Sequence, residues 1–180
     1  MKRISKFALL GAMGFSIGAV IVAMIPQINR FFIPGAAGAV GITTLGLALH
    51  IGWRRTLLLA LLGGIAFYFG NALGTMLVMS TTLGSNFAEM ILRYSIWSGS
   101  IAVIAGTALG LVLINWRSIL RLILAVFIGY SIGMIILGYW FNIVDLVPFI
   151  VLQIIGGASV GAVFGFMKND KNLGKQNISQ

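Results

Sequence analysis

TTLGLALHIGWRRTLLLALLGGIAFYFGNALG, residues Thr43–Gly74, contains the pattern that predicts the fold. It reads as a glycine-bearing apolar helix, a tight Trp-Arg turn and a second apolar helix with glycine near its middle. A second copy, TALGLVLINWRSILRLILAVFIGYSIG, begins at Thr107. The alignment of the two copies pairs five positions: Trp53 with Trp116, Arg54 with Arg117, Leu57 with Leu120, Gly70 with Gly133 and, after one residue of slippage, Gly46 with Gly110.

A third copy is divided between the two ends of the chain. GFSIG at Gly14–Gly18 repeats GYSIG at Gly129–Gly133, and GASVGAVFGF at Gly157–Phe166 resembles the stretches around Gly46 and Gly110. We therefore expect three helical hairpins in tandem that run in the same direction, and that are related by an axis along the membrane normal if they close into a ring. They either close into a pseudo-threefold bundle, which we prefer, or form an open, curved row.

Composition predicts a membrane protein. Apolar residues make up 59% of the 180 residues and charged residues only 8%, against roughly 25% charged residues in soluble domains. A helix needs about 20 apolar residues to cross a bilayer. We predict an all-α integral membrane protein with a single transmembrane domain, 1–168, and a short polar tail, 169–180. The six predicted spans are 7–25, 32–51, 56–79, 94–114, 119–141 and 146–167.

The basic residues predict the orientation. The run 7–25 follows Lys2, Arg3 and Lys6, but it is too long for a signal-peptide core and lacks a small-residue cleavage site, so we interpret it as a retained span. Ten of the twelve basic residues fall on one predicted side, which the positive-inside rule assigns to the cytoplasm. Both termini are then cytoplasmic, in a bacterial cytoplasmic or similar membrane. The net charge of +9 reflects this asymmetry and does not predict nucleic-acid binding.

Three groups of residues are candidate sites. Small residues let helix backbones approach in lipid, which predicts helix packing, or a face for a partner or second copy, at Gly14, Gly18, Gly46, Gly70, Gly74, Gly106, Gly110, Gly129, Gly133, Gly157, Gly161 and Gly165. Polar side chains within the spans either join helices or line a pathway, and they are Tyr68, Asn71, Thr107, Tyr130, Ser131 and Gln153. The predicted interface anchors are Trp53, Arg54, Trp116 and Arg117.

Chemistry-bearing residues are few. Cysteine is absent, and the three acids (Glu89, Asp145 and Asp170) fall in predicted loops, helix ends or the tail. His50, the one histidine, lies beside the inner interface without an acid partner nearby in sequence. We therefore predict no enzyme activity, no catalytic residue, no metal site and no cofactor, while a lipid or pigment could bind apolar surface without a sequence signal.

The stretch GAVGITTLGLALHIGWRRTLLLALLGGIAFYFG resembles uncharacterised glycine-rich multi-span membrane proteins with tandem LGLAL..WRR repeats. That resemblance extends over most of the chain through its repeats and implies no activity. In size and topology alone, the chain is also similar to the substrate-binding subunits of energy-coupling-factor transporters. No ligand motif of those subunits is matched.

Two functions follow as hypotheses. The first is a non-catalytic membrane subunit or scaffold, which packs against lipids, other integral membrane proteins or itself through glycine-rich helix faces. The alternative is a small transporter, or the substrate-binding membrane subunit of one, with a site between the three hairpins. A polar cavity among the hairpins would favour transport, whereas a dry, filled core would favour the scaffold.

Overall fold

A computed structural model describes residues 2–25, 32–82, 86–113, 116–140 and 146–169, with only the backbone described at 2, 116, 137–140, 146 and 169. This described part contains six α-helices and no strand. The helices are α1 (Lys2–Ala23), α2 (Ile33–Leu49), α3 (Trp53–Ser80), α4 (Phe87–Val112), α5 (Trp116–Trp140) and α6 (Leu146–Asn169). Five are long and apolar enough to cross a membrane, which fits the predicted multi-pass membrane protein. The remaining helix, α2, is shorter, with 17 residues. Nearly all of the predicted tail, from residue 170, lies outside the described residues.

The start of α4 differs most from the predicted spans. The helix begins at Phe87 rather than near Tyr94, because Asn86 caps it: the Asn86 side chain accepts a hydrogen bond of 2.9 Å from the Glu89 backbone N–H. Glu89 also places an acidic side chain in the first turn, where the helix dipole favours negative charge. Part of the predicted outer loop is therefore helical.

The turn between α2 and α3 is short and conformationally unusual. His50 ends α2 in the left-handed region, with φ 57° and ψ 38°, and Gly52 has φ 84°. Thr56 then closes the first turn of α3, since its backbone N–H and its hydroxyl both donate to the Gly52 carbonyl, at 3.0 and 2.9 Å. A connection this short makes α2 and α3 antiparallel neighbours.

The six helices form a closed ring. Each helix contacts the next one in the chain, α6 contacts α1, and α2 also contacts α6. The first and last helices, which correspond to the two parts of a third copy predicted from the sequence, therefore pack together as neighbours. Of the two arrangements considered from the sequence, the helices adopt the closed one.

Glycines lie where the helices approach most closely. A Cβ added at Gly11 would collide with the carbonyl oxygen of Gly157, and one added at Gly161 would collide with that of Phe7. Added Cβ atoms would also lie within 3.0 Å of a neighbouring helix at each of the twelve glycines that the sequence analysis named: Gly14, Gly18, Gly46, Gly70, Gly74, Gly106, Gly110, Gly129, Gly133, Gly157, Gly161 and Gly165. These glycines are therefore occupied by contacts inside the molecule.

Aromatic side chains fill the interior of the helix ring. Phe15 of α1, Phe67 of α3 and Tyr130 of α5 are fully buried. The ring centroids of Phe15 and Phe67 are 5.3 Å apart, and those of Phe67 and Tyr130 are 6.0 Å apart. Trp97 of α4 adds a fourth aromatic ring, 6.0 Å from Tyr130. We call these four residues the aromatic cluster.

Candidate functional site

The polar contact nearest the aromatic cluster joins α5 to α6. The Tyr130 hydroxyl donates to Gln153 Oε1 over 2.6 Å, and both side chains are fully buried. Within the described residues, Gln153 Nε2 has no hydrogen-bond partner. A buried donor left unpaired costs about 1–3 kcal/mol, so a water or a small polar ligand at this amide would stabilise the protein.

The other polar side chains predicted to line a pathway do not converge on this contact. Ser131 Oγ lies 2.6 Å from Ser98 Oγ, which joins α5 to α4 instead. Tyr68 lies on the outer side of α3, where its aromatic ring stacks on Phe32 with centroids 5.1 Å apart. Asn71 is buried and Thr107 is half-buried. The six residues are therefore distributed over several helix contacts rather than gathered around one cavity.

A recess of about 750 Å³ opens on the outer surface between α2 and α3. We call it the α2–α3 groove. Two small pairs spaced four residues apart form its floor: Gly35 and Ala39 on α2, Ala60 and Gly64 on α3. The walls are larger side chains, namely Val22, Phe32, Leu61, Ile65, Tyr68 and Phe69. Its lining is almost entirely apolar, as expected of a surface that faces lipid rather than water.

The aligned positions of α4 and α5 are arranged differently. By the sequence alignment, Gly35 and Gly64 correspond to Gly99 and Phe127. Gly35 faces Gly64 across the groove floor, since a Cβ added at Gly35 would lie 3.0 Å from the Gly64 carbonyl oxygen. At Gly99 the nearest neighbour is the Phe127 aromatic ring, 3.8 Å from an added Cβ. The phenyl ring of Phe127 therefore occupies the α4–α5 contact at the position where α2 and α3 approach each other directly through Gly35 and Gly64.

The predicted interface anchors lie at one end of the bundle. Trp53 begins α3 and is 66% exposed, while Arg54 and Arg117 are exposed near the starts of α3 and α5. The Trp116 side chain lies outside the described residues. In the described ranges, no group of three or more His, Cys, Asp or Glu side chains is placed to hold a metal ion.

Comparison with known proteins leaves the site to be interpreted from its own geometry: no family model matches the chain, and neither a curated protein nor a solved structure does.

Two features of this site were not predicted from the sequence. Phe15 and Phe67 were not singled out, although GFSIG and GYSIG already paired Phe15 with Tyr130 and the Trp alignment pairs Tyr130 with Phe67. Gly35 and Gly64 were also missed, because a glycine that borders an open groove has the same sequence signal as one inside a closed contact. The sequence signal that distinguishes the two cases is the residue at the aligned position of the partner helix: glycine at position 64 of α3 and phenylalanine at position 127 of α5.

Proposed function

We propose that the protein is a non-catalytic subunit of a membrane assembly, and that its α2–α3 groove receives a transmembrane helix of another membrane protein. The observation that carries this proposal is the position of the recess. It opens outward, between two helices of the surface, whereas aromatic side chains fill the interior of the helix ring. The surface is then the part of the molecule available for binding.

The lipid-facing surface supports the membrane setting. Large apolar side chains are exposed on several helices, among them Leu61 at 62%, Leu124 at 57% and Leu9 at 61%. Such extensive apolar exposure is rare in a monomeric soluble protein and normal against lipid. Because lipid tails are as apolar as leucine, a partner helix gains affinity there from close packing rather than from burial.

The groove has the geometry that helix packing in lipid uses. Gly35 and Ala39, like Ala60 and Gly64, are spaced four residues apart, so each pair lies on one face of its helix. Gly35 and Ala60 are buried, so a third helix would contact the half-buried Ala39 and Gly64 and the larger side chains beside them. Small residues at such a contact allow helix backbones to approach closely. The lining from Ala60 to Phe69 spans ten residues, or roughly 14 Å of helix, which is a contact over two to three turns.

We also propose that the helices are three copies of one hairpin, with both termini in the cytoplasm. Burial supports the repeat: the aligned residues Phe15, Phe67 and Tyr130 are all fully buried, and so are the residues before three aligned glycines, Leu45, Leu109 and Phe164. Clustering of Arg3, Lys6, Arg54, Arg117 and Lys168 at one end of the bundle supports the orientation.

Transport is the second candidate, and Gln153 is the observation that favours it. A buried amide nitrogen without a partner in the described residues, next to the Tyr130 hydroxyl, could recognise a small polar substrate. The aromatic cluster must then move aside for the substrate to pass. Uptake of a substrate by vesicles that contain the purified protein alone would favour this candidate over the subunit.

Site-specific photocrosslinking in the native membrane tests the groove. A photoreactive phenylalanine analogue replaces Leu61, which borders the groove, or Leu124, the aligned position on α5. We expect the probe at Leu61 to form an adduct with one transmembrane peptide of a different protein. Ala39→Phe fills the groove from a position that already has a Cβ, and we expect it to abolish that adduct.

Two controls make the result specific. Val103→Phe adds the same side chain at the aligned position of α4 and should leave the Leu61 adduct unchanged. The probe at Leu124 should not capture the same peptide. An adduct with lipid or with a second copy of this chain, or one that survives Ala39→Phe, would contradict the proposal.

A further inference from the structure

A cleft lined by basic side chains lies where α1, α2 and α6 meet. Its volume is about 490 Å³, and its lining comprises Arg3, Lys6, Phe7, Leu10, Ala48, His50 and Lys168. Three of these residues are cationic and one is a histidine, while none of the described lining residues is acidic. Like charges gathered in one recess repel each other, so an anion bound there would relieve the repulsion of all three.

Lys168 is held at the edge of this cleft rather than free in solution. Its Nζ donates a hydrogen bond of 3.1 Å to the Ala48 carbonyl at the end of α2, and it lies 5.4 Å from the centroid of the Phe7 aromatic ring. A lysine positioned by a carbonyl and an aromatic face loses less freedom when it binds an anion. The ends of α6, α2 and α1 thus form one preorganised site.

His50 gives an independent indication of a role for the cleft. It is the one non-glycine residue with positive φ among the described residues, at 57°. The left-handed conformation costs a residue with a Cβ roughly 1 kcal/mol, and glycine usually occupies this position after a helix. Strained residues of this kind are concentrated at binding and catalytic sites. At the end of α2, this conformation coincides with a histidine that lines the cationic cleft.

The apolar part of the lining indicates the kind of anion. Leu10 lies one helical turn further along α1 than Lys6. Together with Phe7 and Ala48 it forms the apolar part of the lining, next to the basic residues. A free phosphate would use only the basic residues. A phospholipid uses both, with its phosphate among the cations and an acyl chain against the apolar part of the lining.

We propose that this cleft binds the headgroup of an anionic phospholipid, with Arg3, Lys6, His50 and Lys168 around the phosphate and the half-buried Leu10 and Ala48 against the acyl chain. The site is separate from the α2–α3 groove and does not depend on the proposed partner helix. It would anchor α6 to α1, the two helices at the opposite ends of the chain.

Native mass spectrometry of the full-length protein in detergent, titrated with phosphatidylglycerol, tests the site. We expect saturable binding of phosphatidylglycerol and much weaker binding of phosphatidylcholine. Because each cation near an anionic membrane contributes roughly 1 kcal/mol, or about fivefold in affinity, Arg3→Gln/Lys6→Gln should weaken binding about 25-fold. The matched control, Arg54→Gln/Arg121→Gln, removes two cations outside the cleft and should leave the affinity nearly unchanged.

A second variant separates binding from folding. His50→Gly removes the imidazole and relieves the strain of the positive φ, so the variant should be at least as stable as the wild type and still bind the lipid more weakly. Equal weakening by the two double variants would overturn the proposal, because the attraction would then belong to the whole basic end. Equal binding of phosphatidylcholine, or complete displacement by millimolar inorganic phosphate, would also overturn it.

Discussion

The two complete hairpins, α2–α3 and α4–α5, have similar interiors and different outer surfaces. Phe67 and Tyr130 occupy aligned positions and meet in the aromatic cluster, and the aligned Leu45 and Leu109 are both fully buried. On the outside, Gly64 lines the α2–α3 groove, whereas the phenyl ring of the aligned Phe127 lies against Gly99 of α4. The comparison teaches that the aligned residues in the interior are alike in both hairpins, while those between helices at the surface differ.

The largest effect is expected from adding one methyl group at an aligned pair of glycines. A Cβ at Gly110 would lie 2.6 Å from the Ile119 Cα, so the backbone of α5 must move. The three atoms nearest to a Cβ at Gly46 all belong to the Thr56 side chain, at 2.9, 3.1 and 3.3 Å. Overpacking costs about 1–3 kcal/mol, and replacing a helical glycine by alanine returns about 1 kcal/mol. We therefore expect Gly110→Ala to destabilise the protein by about 2 kcal/mol and Gly46→Ala to be nearly neutral.

Unfolding in mixed detergent micelles, followed by tryptophan fluorescence, measures both free energies. The aligned pair serves as its own control, since each variant changes the same residue to the same residue. Equal losses at the two sites would mean that the α2–α3 and α4–α5 turns pack equally tightly, contrary to the geometry.

A smaller effect is expected in the interior, where Tyr130 differs from its aligned Phe67 by one hydroxyl. Tyr130→Phe removes the donor to Gln153 Oε1 and leaves the whole buried amide unpaired. Hydrogen bonds between membrane helices contribute about 0.6 kcal/mol on average and up to about 1.7. We expect Tyr130→Phe to cost about 1 kcal/mol in the same unfolding experiment.

A double variant checks the cause. Adding Gln153→Leu to Tyr130→Phe removes the unpaired amide, so stability should recover most of the loss. If the double variant is instead less stable than Tyr130→Phe by the full cost of a core substitution, then the Gln153 amide contributes through a contact other than the one to Tyr130.

Hydropathy was enough to predict the six helices, because a run of uncharged residues long enough to cross a bilayer leaves few alternatives. It placed the start of α4 too late, since Glu89 and Arg93 lower the local hydropathy. The capping pair Asn86 and Glu89 was the better signal for that helix start.

The candidate site was harder to predict for a physical reason. Tyr68 and Tyr130 are both tyrosines in the middle of apolar helices. Only the rotation of each helix about its axis directs Tyr68 to the outer surface and Tyr130 to the interior. That rotation is set by contacts with the neighbouring helices, such as Gly38 against Phe67 and Gly156 against Tyr130. The α2–α3 groove depends on the same helix rotations. Small side chains line part of it, and the rotation decides whether a small residue borders a recess or a closed contact.

The smallest effect, and one of opposite sign in the two hairpins, is expected where α2 and α4 end. His50 ends α2 with φ 57°, whereas the aligned Leu113 ends α4 in the right-handed helical region, with φ −82°. Glycine adopts the left-handed conformation without strain but adds backbone entropy to the unfolded state. His50→Gly should therefore stabilise the protein by up to about 1 kcal/mol, and Leu113→Gly should destabilise it by a similar amount. Unfolding in mixed micelles at one pH measures both, with His50→Ala as the control that removes the imidazole without relieving the backbone. If His50→Gly and His50→Ala have equal stability, the imidazole rather than the left-handed backbone distinguishes the turn of α2–α3 from that of α4–α5.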